Sequence, residues 1–215
     1  MDKIRIKYSK TGRAKYISHL DLMSTMQRSL IRAGVKLKYS EGFNPHPYLS
    51  VALPMSVGVE SLCELMDAGI HGGFPDNIND YLPEGLQILG IFKPLRKFSL
   101  IKWVNVKYLL SYKDNISDNT FNKVKDNFSA KSLVIQKKSK RGISDLDIAK
   151  HICNSNVSLI DDKIIDIDLT ISAQQPTVST NDILSIACFD CENHKPYQIN
   201  VKRIDIFDKD MVLFK

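Results

Sequence analysis

The sequence predicts a mixed α+β protein built from two tandem ferredoxin-like (split βαβ) domains, each with an antiparallel sheet. Residues 3–8 alternate basic and apolar side chains with the period of two that is typical of a strand. Residues 18–33 then repeat apolar side chains at helical spacing. In both halves the predicted elements run strand, helix, strand, strand, helix, strand. Element order alone, without a residue-level repeat, therefore predicts the tandem arrangement.

The first domain opens with a strand whose Ile4, Ile6 and Tyr8 are expected to face the core while the basic side chains face water. Gly12 marks a turn, and Ser18 is the expected N-cap of a helix that ends at Gly34. Further strands are predicted at residues 35–39, 49–59, 62–70 and 86–92, with a short helix at 76–82. The predicted buried stripe of the first helix consists of Leu20, Met23, Met26, Leu30 and Ala33, with His19 on the same buried side.

The second domain shows the same order with weaker patterns. Strands are predicted at residues 104–112, 133–137, 164–171 and 198–207, and helices at 118–128 and from residue 180 or 181. Residues 143–160 fit this order poorly and predict an extra helix. The resulting organisation is a basic first domain at 1–95, a basic linker at 96–102 and a second domain at 103–215.

The net charge is confined to one region of the chain. The 215 residues carry a formal charge of +6, and residues 1–60 hold ten basic and four acidic side chains, which accounts for all of it. This asymmetry predicts a basic surface and an anionic partner such as RNA or another polyanion. No apolar run approaches the ~20 residues that span a bilayer, so we expect a cytoplasmic protein without a membrane partner.

Two groups of basic residues in the first domain are candidates for nucleic-acid binding. Lys10, Arg13 and Lys15 flank the Gly12 turn just before a helix N-terminus, where backbone N–H groups and cations suit a phosphate. Arg28 and Arg32 are spaced i,i+4 and therefore share one helix face. Their guanidinium groups suit two neighbouring phosphates. The alternative is a solvated helix face on which Asp21 offsets one arginine. In the second domain, Lys140 and Arg141 could extend the same track, or lie at a solvated hairpin tip.

A stiff loop at residues 42–47 is the third candidate. Pro45 and Pro47 fix the backbone and hold Asn44 and His46 in extended conformations. Asn44 is a candidate nucleic-acid contact, and His46 carries an imidazole that exchanges protons near neutral pH. His19 and His46 are candidate catalytic residues if they meet in one cleft. The alternatives are a rigid crossover for the loop and a core histidine at position 19.

No cofactor or metal site is predicted. Cys188, Cys191 and His194 have half of a zinc-site spacing, but no patterned fourth ligand accompanies them. The sequence also contains no P-loop, dinucleotide fingerprint or nucleophile elbow.

The first 60 residues nevertheless carry a family motif. Residues 9–23 (SKTGRAKYISHLDLM), 39–47 (YSEGFNPHP) and 53–59 (LPMSVGV), together with Arg28 and Arg32, resemble the bacterial radical SAM-linked protein family, a domain of unknown function encoded beside or fused to a radical SAM protein. The resemblance implies a radical SAM protein as partner and an RNA or ribosome context. The chain lacks the C-x₃-C-x₂-C motif, so it cannot hold the radical SAM cluster alone.

Three functions are consistent with these patterns. The first is an RNA-binding or substrate-presenting partner of a radical SAM enzyme, without catalysis of its own. The second, by analogy of fold, is a metal-independent RNA endonuclease of the CRISPR RNA-processing type that uses His19 and His46. The third is a protein-interaction subunit that binds no nucleic acid.

Overall fold

The computed structural model describes residues 2–139, 142–187 and 195–215. The chain divides into two compact units, Met1–Leu100 with Leu213–Lys215, and Ile101–Val212. Both combine strands with helices, so the mixed α+β class is confirmed. The division differs from the predicted domains, because residues 96–100 and 213–215 belong to the first unit.

The first unit has one α-helix and five strands. A 3-10 turn at Gly12–Tyr16 separates the first strand from the helix, and a second one at Ile78–Tyr81 replaces the predicted short helix before the last strand. The elements are β1 (Asp2–Lys10), α1 (His19–Arg32), β2 (Lys36–Leu37), β3 (Leu49–Ala52), β4 (Glu60–His71) and β5 (Leu86–Phe92).

The sheet of this unit has β1 between β5 and β4, and the short strands β2 and β3 both pair with the other edge of β4. Every pairing is antiparallel. Ile6 and Tyr8 are buried, as predicted, in a cluster that also contains Met66 of β4 and Met26 of α1. Helix α1 therefore packs on one face of the sheet through its apolar stripe.

The buried stripe of α1 agrees with the prediction at Met26 and Leu30, but the start of the helix differs. Leu22 and Met26 are buried, whereas Leu20 is 76% exposed and His19 is exposed. Two residues two positions apart point about 200° away from each other on a helix, so only one of the two leucines can face the sheet. The core position is taken by Leu22, and the predicted burial of Leu20 and His19 was wrong.

The opposite face of the sheet carries a buried ion pair, whereas the basic side chains of β1 were predicted to face water. Arg5 is fully buried and binds both carboxylate oxygens of Asp67 on β4. The Phe98 ring centroid lies 4.3 Å from the guanidinium carbon of Arg5, and that of Phe214 lies 5.3 Å away. Arg5 also donates to the backbone oxygen atoms of Arg96 and Lys215. Residues from both ends of this unit's sequence thus meet around one arginine.

A close backbone approach fixes the turn after β1 against the turn before β5. The Thr11 N–H donates to the Gly85 carbonyl oxygen over 2.8 Å. Gly85 has a φ of +88°, and a Cβ atom there would lie 2.4 Å from the Thr11 carbonyl oxygen. Only glycine combines this positive φ with the space required.

The second unit contains two α-helices and six strands in its described residues. Most bounds lie within two residues of the predicted ones, but the extra helix predicted at residues 143–160 is replaced by two strands with a short 3-10 helix, Ile148–His151, between them. The elements are β6 (Trp103–Ser111), α2 (Asp118–Ser129), β7 (Val134–Ser139), β8 (Gly142–Asp147), β9 (Ile152–Asp161), β10 (Ile164–Ser172), α3 (Thr180–Ala187) and β11 (Gln198–Phe207).

The main sheet of this unit has the strand order β11-β6-β10-β9, and β7 and β8 form a separate hairpin. All these pairings are antiparallel. Alternate residues of β10, such as Ile165 and Ile167, are fully buried. Within the residues described, no helix is long and apolar enough to cross a membrane.

Candidate nucleic-acid interface

Arg28 and Arg32 lie on one exposed face of α1, as their spacing predicts. Both line an open pocket of about 460 Å³, whose wall also includes Ile31 and Pro83. The Arg32 guanidinium donates to the Tyr81 carbonyl oxygen over 2.8 Å, which anchors it beside the segment before β5. Arg28 forms no ion pair or hydrogen bond with any described side chain, so its charge faces solvent.

The Gly12 turn is already occupied by an acid of the chain itself. The Gly12 N–H donates to Oε1 of Glu60 over 3.2 Å, and the Lys15 ammonium lies 3.6 Å from the same oxygen. Glu60 thus supplies the negative charge that the sequence pattern suggests for a bound phosphate. The backbone donor and the lysine are present, but in this conformation they neutralise a carboxylate.

The hydrogen bonding at the start of α1 is likewise supplied from within the chain. The Ser18 hydroxyl accepts from the Asp21 N–H over 3.2 Å and donates to the Asp21 carboxylate over 2.7 Å. Ser18 is therefore the N-cap, as predicted. Arg13 lies in the preceding 3-10 turn, exposed and without an ion pair in the described chain.

Lys10 does not belong to the exposed surface. It is 2% exposed at the end of β1, where it pairs with Ser61 of β4 and Leu86 of β5. The sequence pattern placed it beside Arg13, but a strand between two neighbours encloses even a lysine. Its predicted contact with nucleic acid was wrong because the side chain is not accessible.

The loop at residues 40–47 displays its side chains to solvent. It is closed at its base, since the Ser40 N–H donates to the His46 carbonyl oxygen over 2.7 Å and the His46 N–H donates to the Ser40 hydroxyl over 2.9 Å. Asn44 and His46 are exposed, and Phe43 is fully exposed. The loop is thus held at its base by two hydrogen bonds, and it carries an exposed aromatic ring.

The two candidate catalytic histidines lie on different elements. His19 begins α1 and His46 lies in the 40–47 loop. Neither imidazole forms a hydrogen bond or ion pair within the part of the chain that the structure describes. Arg28 lies nine residues after His19, about 14 Å along the helix axis. The acid–base pair stays a prediction without a contact to support it.

The remaining predicted contacts lie outside the described residues. This applies to Lys140 and Arg141 and to the sequence from Cys188 to His194. Among the residues that the structure describes, no three metal-ligating side chains form a cluster.

The exposed aromatic residues are the part of this surface that sequence reasoning missed. Phe43 and Tyr48 flank the asparagine, prolines and histidine of this loop, and an aromatic ring is normally assigned to a core. Tyr48 is 47% exposed, and the Lys38 ammonium lies 5.5 Å from its ring centroid. An aromatic residue inside a proline-rich loop was the signal that could have found them.

The fold and this surface define a small mixed α+β protein with an exposed basic helix face and a projecting loop that carries an aromatic ring. The chain belongs to the family described as uncharacterized protein conserved in bacteria (DUF2344), whose model matches residues 3–180. The expected membership of a bacterial family of unknown function is therefore confirmed. None of the curated proteins matches the sequence.

Two solved structures are similar in fold. A chain of a Cbf5-Nop10-Gar1 complex matches with a TM-score of 0.50 at 10% identity, over 96% of this chain and 50% of that one. A chain of an archaeal box H/ACA sRNP Nop10-Cbf5 complex matches with a TM-score of 0.45 at 11% identity, over 93% of this chain and 46% of that one. The protein spans about half the length of these solved chains, and the likeness concerns the fold alone.

Proposed function

We propose that the first unit binds single-stranded RNA, with the phosphate contacts on the exposed face of α1. The observation that carries the proposal is the pair Arg28 and Arg32, which project beside one open pocket. A guanidinium group donates two parallel hydrogen bonds to a phosphate, and residues at i,i+4 are neighbours on a helix. Arg28 keeps its charge exposed, because no described acid pairs with it.

Burial and internal pairing reduce the positive charge that the first 60 residues can offer to a partner. Arg5 and Lys10 are buried, and Lys15 lies beside Glu60. The basic residues of this region that remain exposed are Lys3, Arg13, Arg28, Arg32 and Lys36. Of these, Arg28 and Arg32 lie beside one pocket, and exposed cations attract a polyanion over the distance of a Debye length.

The exposed aromatic rings favour a single strand over a duplex. Unpaired bases can stack on aromatic side chains, whereas bases inside a duplex offer no face for stacking. Phe43 is fully exposed on a loop whose base is closed by two hydrogen bonds. A ring held in this way loses little conformational freedom when a base stacks on it.

The family resemblance supports a role as partner. We propose that the chain presents RNA to a radical SAM protein that supplies the catalytic cluster. Co-purification of that protein with this chain from nuclease-treated lysate would test the pairing. Recovery of the pair without any RNA affinity would instead favour the protein-interaction function.

The strand orders support a ferredoxin-like interpretation of both units. In the first, β1 lies between β5 and β4, with α1 following β1. In the second, β6 lies between β11 and β10, with α2 following β6. A split βαβ domain has this all-antiparallel arrangement. We propose that the first unit has its second helix reduced to the turn at Ile78–Tyr81.

The RNA proposal is tested by fluorescence anisotropy with a labelled 12-nucleotide single-stranded RNA between 50 and 200 mM KCl. We expect Arg28→Ala/Arg32→Ala to weaken binding about tenfold at 100 mM salt and to lower the salt slope by about 1.4, because two phosphate contacts are lost. The matched control is Lys123→Ala/Lys125→Ala, which removes two exposed cations from α2.

Each result of this experiment has a definite meaning. If the wild-type chain binds no RNA at 50 mM KCl, the proposal is overturned. If both double variants weaken binding equally, the effect is one of net charge, and the assignment to α1 is wrong. A 260/280 nm absorbance ratio that reveals RNA co-purified with the chain would agree with binding, since one tryptophan and eight tyrosines leave that signal easy to recognise.

A further inference from the structure

The face of the first sheet opposite α1 contains a pocket that the proposed phosphate contacts do not use. Met66, Ala68 and Ile70 of β4 pack in the cluster that includes α1. Because successive side chains of a strand point to opposite faces, Asp67 and Gly69 belong to the other face. A pocket of about 400 Å³ lies there, lined in part by Asp67, Gly69 and Phe98. Its volume is that of an ordinary ligand site.

The floor of the pocket is the backbone at Gly69, which has no side chain to fill the space above it. Lys3 pairs with Gly69 across β1 and β4, and the Gly69 N–H donates to the Tyr48 carbonyl oxygen over 2.9 Å on the other side. One row across the sheet therefore runs Lys3, Gly69, Tyr48, with a gap in its middle. The next row contains Asp67 and Ser50, and Phe98 closes that end.

The walls combine one aromatic face with positive charge. The Tyr48 ring is about half exposed, and the Lys38 ammonium lies 5.5 Å from its centroid. Lys3 and Lys97 line the pocket, and both are exposed. A flat ring beside a floor without a side chain suits a flat ligand. The ammonium groups of Lys97 and of Lys3, which lies 3.7 Å from Asp67, suit an anionic one.

The polar groups of the pocket restrict further the class of ligand that can bind. Both oxygens of Asp67 are bound by Arg5, at 2.6 and 2.9 Å, so this carboxylate is not available to hold a metal ion. The Ser50 hydroxyl is exposed and forms no hydrogen bond within the described residues. A neutral donor and acceptor beside an aromatic ring is the chemistry that recognises the edge of a nucleobase.

We propose that this pocket holds one unpaired base of the RNA, stacked on Tyr48 and contacted at its edge by Ser50, with the adjoining phosphates near Lys3 and Lys97. The inference rests on the proposed RNA binding and adds a site on the opposite face of the sheet from α1. It assigns base recognition to this pocket, whereas Arg28 and Arg32 contact phosphates.

The test uses variants that separate stacking from charge. Loss of one aromatic platform weakens single-strand binding about 5- to 150-fold. We expect Tyr48→Ala to weaken binding of a labelled 12-nucleotide oligouridylate within that range with an unchanged salt slope, and Tyr48→Phe to keep it. The matched control is Tyr197→Ala, a tyrosine of the second unit that is 59% exposed against 47% for Tyr48. An abasic oligonucleotide of the same length should bind Tyr48→Ala and the wild type equally.

A second variant protects the test against misfolding. Ser50→Phe places a ring at the exposed rim of the pocket. It should weaken the binding of oligouridylate while the thermal unfolding midpoint stays within about 2 °C of wild type. If Arg28→Ala/Arg32→Ala weakens RNA binding but Tyr48→Ala and Ser50→Phe do not, the pocket inference is overturned and the proposed function stands. If the wild type binds neither oligouridylate nor the abasic strand, both are overturned.

Discussion

Arg5 and Asp67 face each other across β1 and β4 and form a two-pronged ion pair, with Nε–Oδ1 at 2.6 Å and Nη2–Oδ2 at 2.9 Å. Removal of one partner would leave an uncompensated buried charge, which costs about 3–5 kcal/mol. We expect Asp67→Asn to lower the free energy of unfolding in urea by this amount. The control is Lys3→Ala, whose ammonium lies 3.7 Å from Asp67 at the surface and contributes about 0–1 kcal/mol. Equal losses in the two variants would contradict the assignment.

The approach of Gly85 to Thr11 predicts a large effect from one methyl group. Gly85→Ala should destabilise the protein by about 2–4 kcal/mol, from the positive φ together with the clash of Cβ against a carbonyl oxygen. Gly72→Ala is the matched control, because its φ of +82° is similar and nothing lies within 4 Å of the added Cβ. Chemical denaturation of both variants separates the two causes. A difference below about 0.5 kcal/mol would show that the backbone relaxes around the clash.

Acid should weaken the second unit through Asp182. Burial raises the pKa of Asp182, but hydrogen bonds from the Ser179 N–H, the Lys137 ammonium and the Ser179 hydroxyl outweigh it and hold the pKa below its usual range. A lowered pKa contributes stability above the pKa of the unfolded chain, about 3.9, and that stability is lost as the pH falls through the folded value.

Urea unfolding of the wild type and Asp182→Asn between pH 7 and pH 2 checks this. The stability difference between the two proteins should be largest at neutral pH and should shrink below about pH 4. A difference that stays constant down to pH 2 would rule out the carboxylate as its cause.

The carboxylate at the Gly12 turn predicts a gain of anion binding when it is neutralised. Glu60→Gln removes the acid beside Lys15 and the Gly12 N–H, so a phosphate can take its place. We expect RNA affinity at 100 mM salt to rise about two- to fivefold, with a steeper salt slope. Glu84→Gln, at an exposed acid of the same unit, controls for net charge. An equal rise in both variants would mean that the turn has no specific part in binding.

Several elements of the second unit could be predicted because their patterns are regular. Residues 198–207 alternate apolar and polar side chains on each side of a slip at Lys202 and Arg203, and β11 has these same bounds, with a register shift after Arg203. Strand β9 could not be predicted in this way. It lies at the edge of its sheet with nearly all its side chains exposed or half-buried, so neither of its faces needs an apolar series.

In the first unit, the errors come from contacts between residues far apart in the sequence. A strand pattern places Arg5 in water, and only Phe98 and Phe214 reveal that its face is covered. Leu20 is the exception: at about 100° per residue it lies about 120° from Met26, whereas Leu22 lies about 40° away, so helix geometry alone favours Leu22 for the core. Of the candidate site, the shared face of Arg28 and Arg32 follows from helix geometry alone. The placement of Glu60 on the Gly12 turn depends on chain pairing that no local pattern encodes.

The contacts of Arg5 and Arg96 with residues 213–215 set an order for biosynthesis. Arg5 donates to the backbone oxygen of Lys215, and Arg96 donates to that of Leu213 over 2.6 Å. The ribosome makes the whole of the second unit before it makes these three residues. The first unit therefore lacks part of the wall around its buried arginine until residues 213–215 have been made. The amino-terminal unit thus cannot be completed before the chain reaches these residues, whereas in vectorial folding the amino-terminal domain is usually complete first.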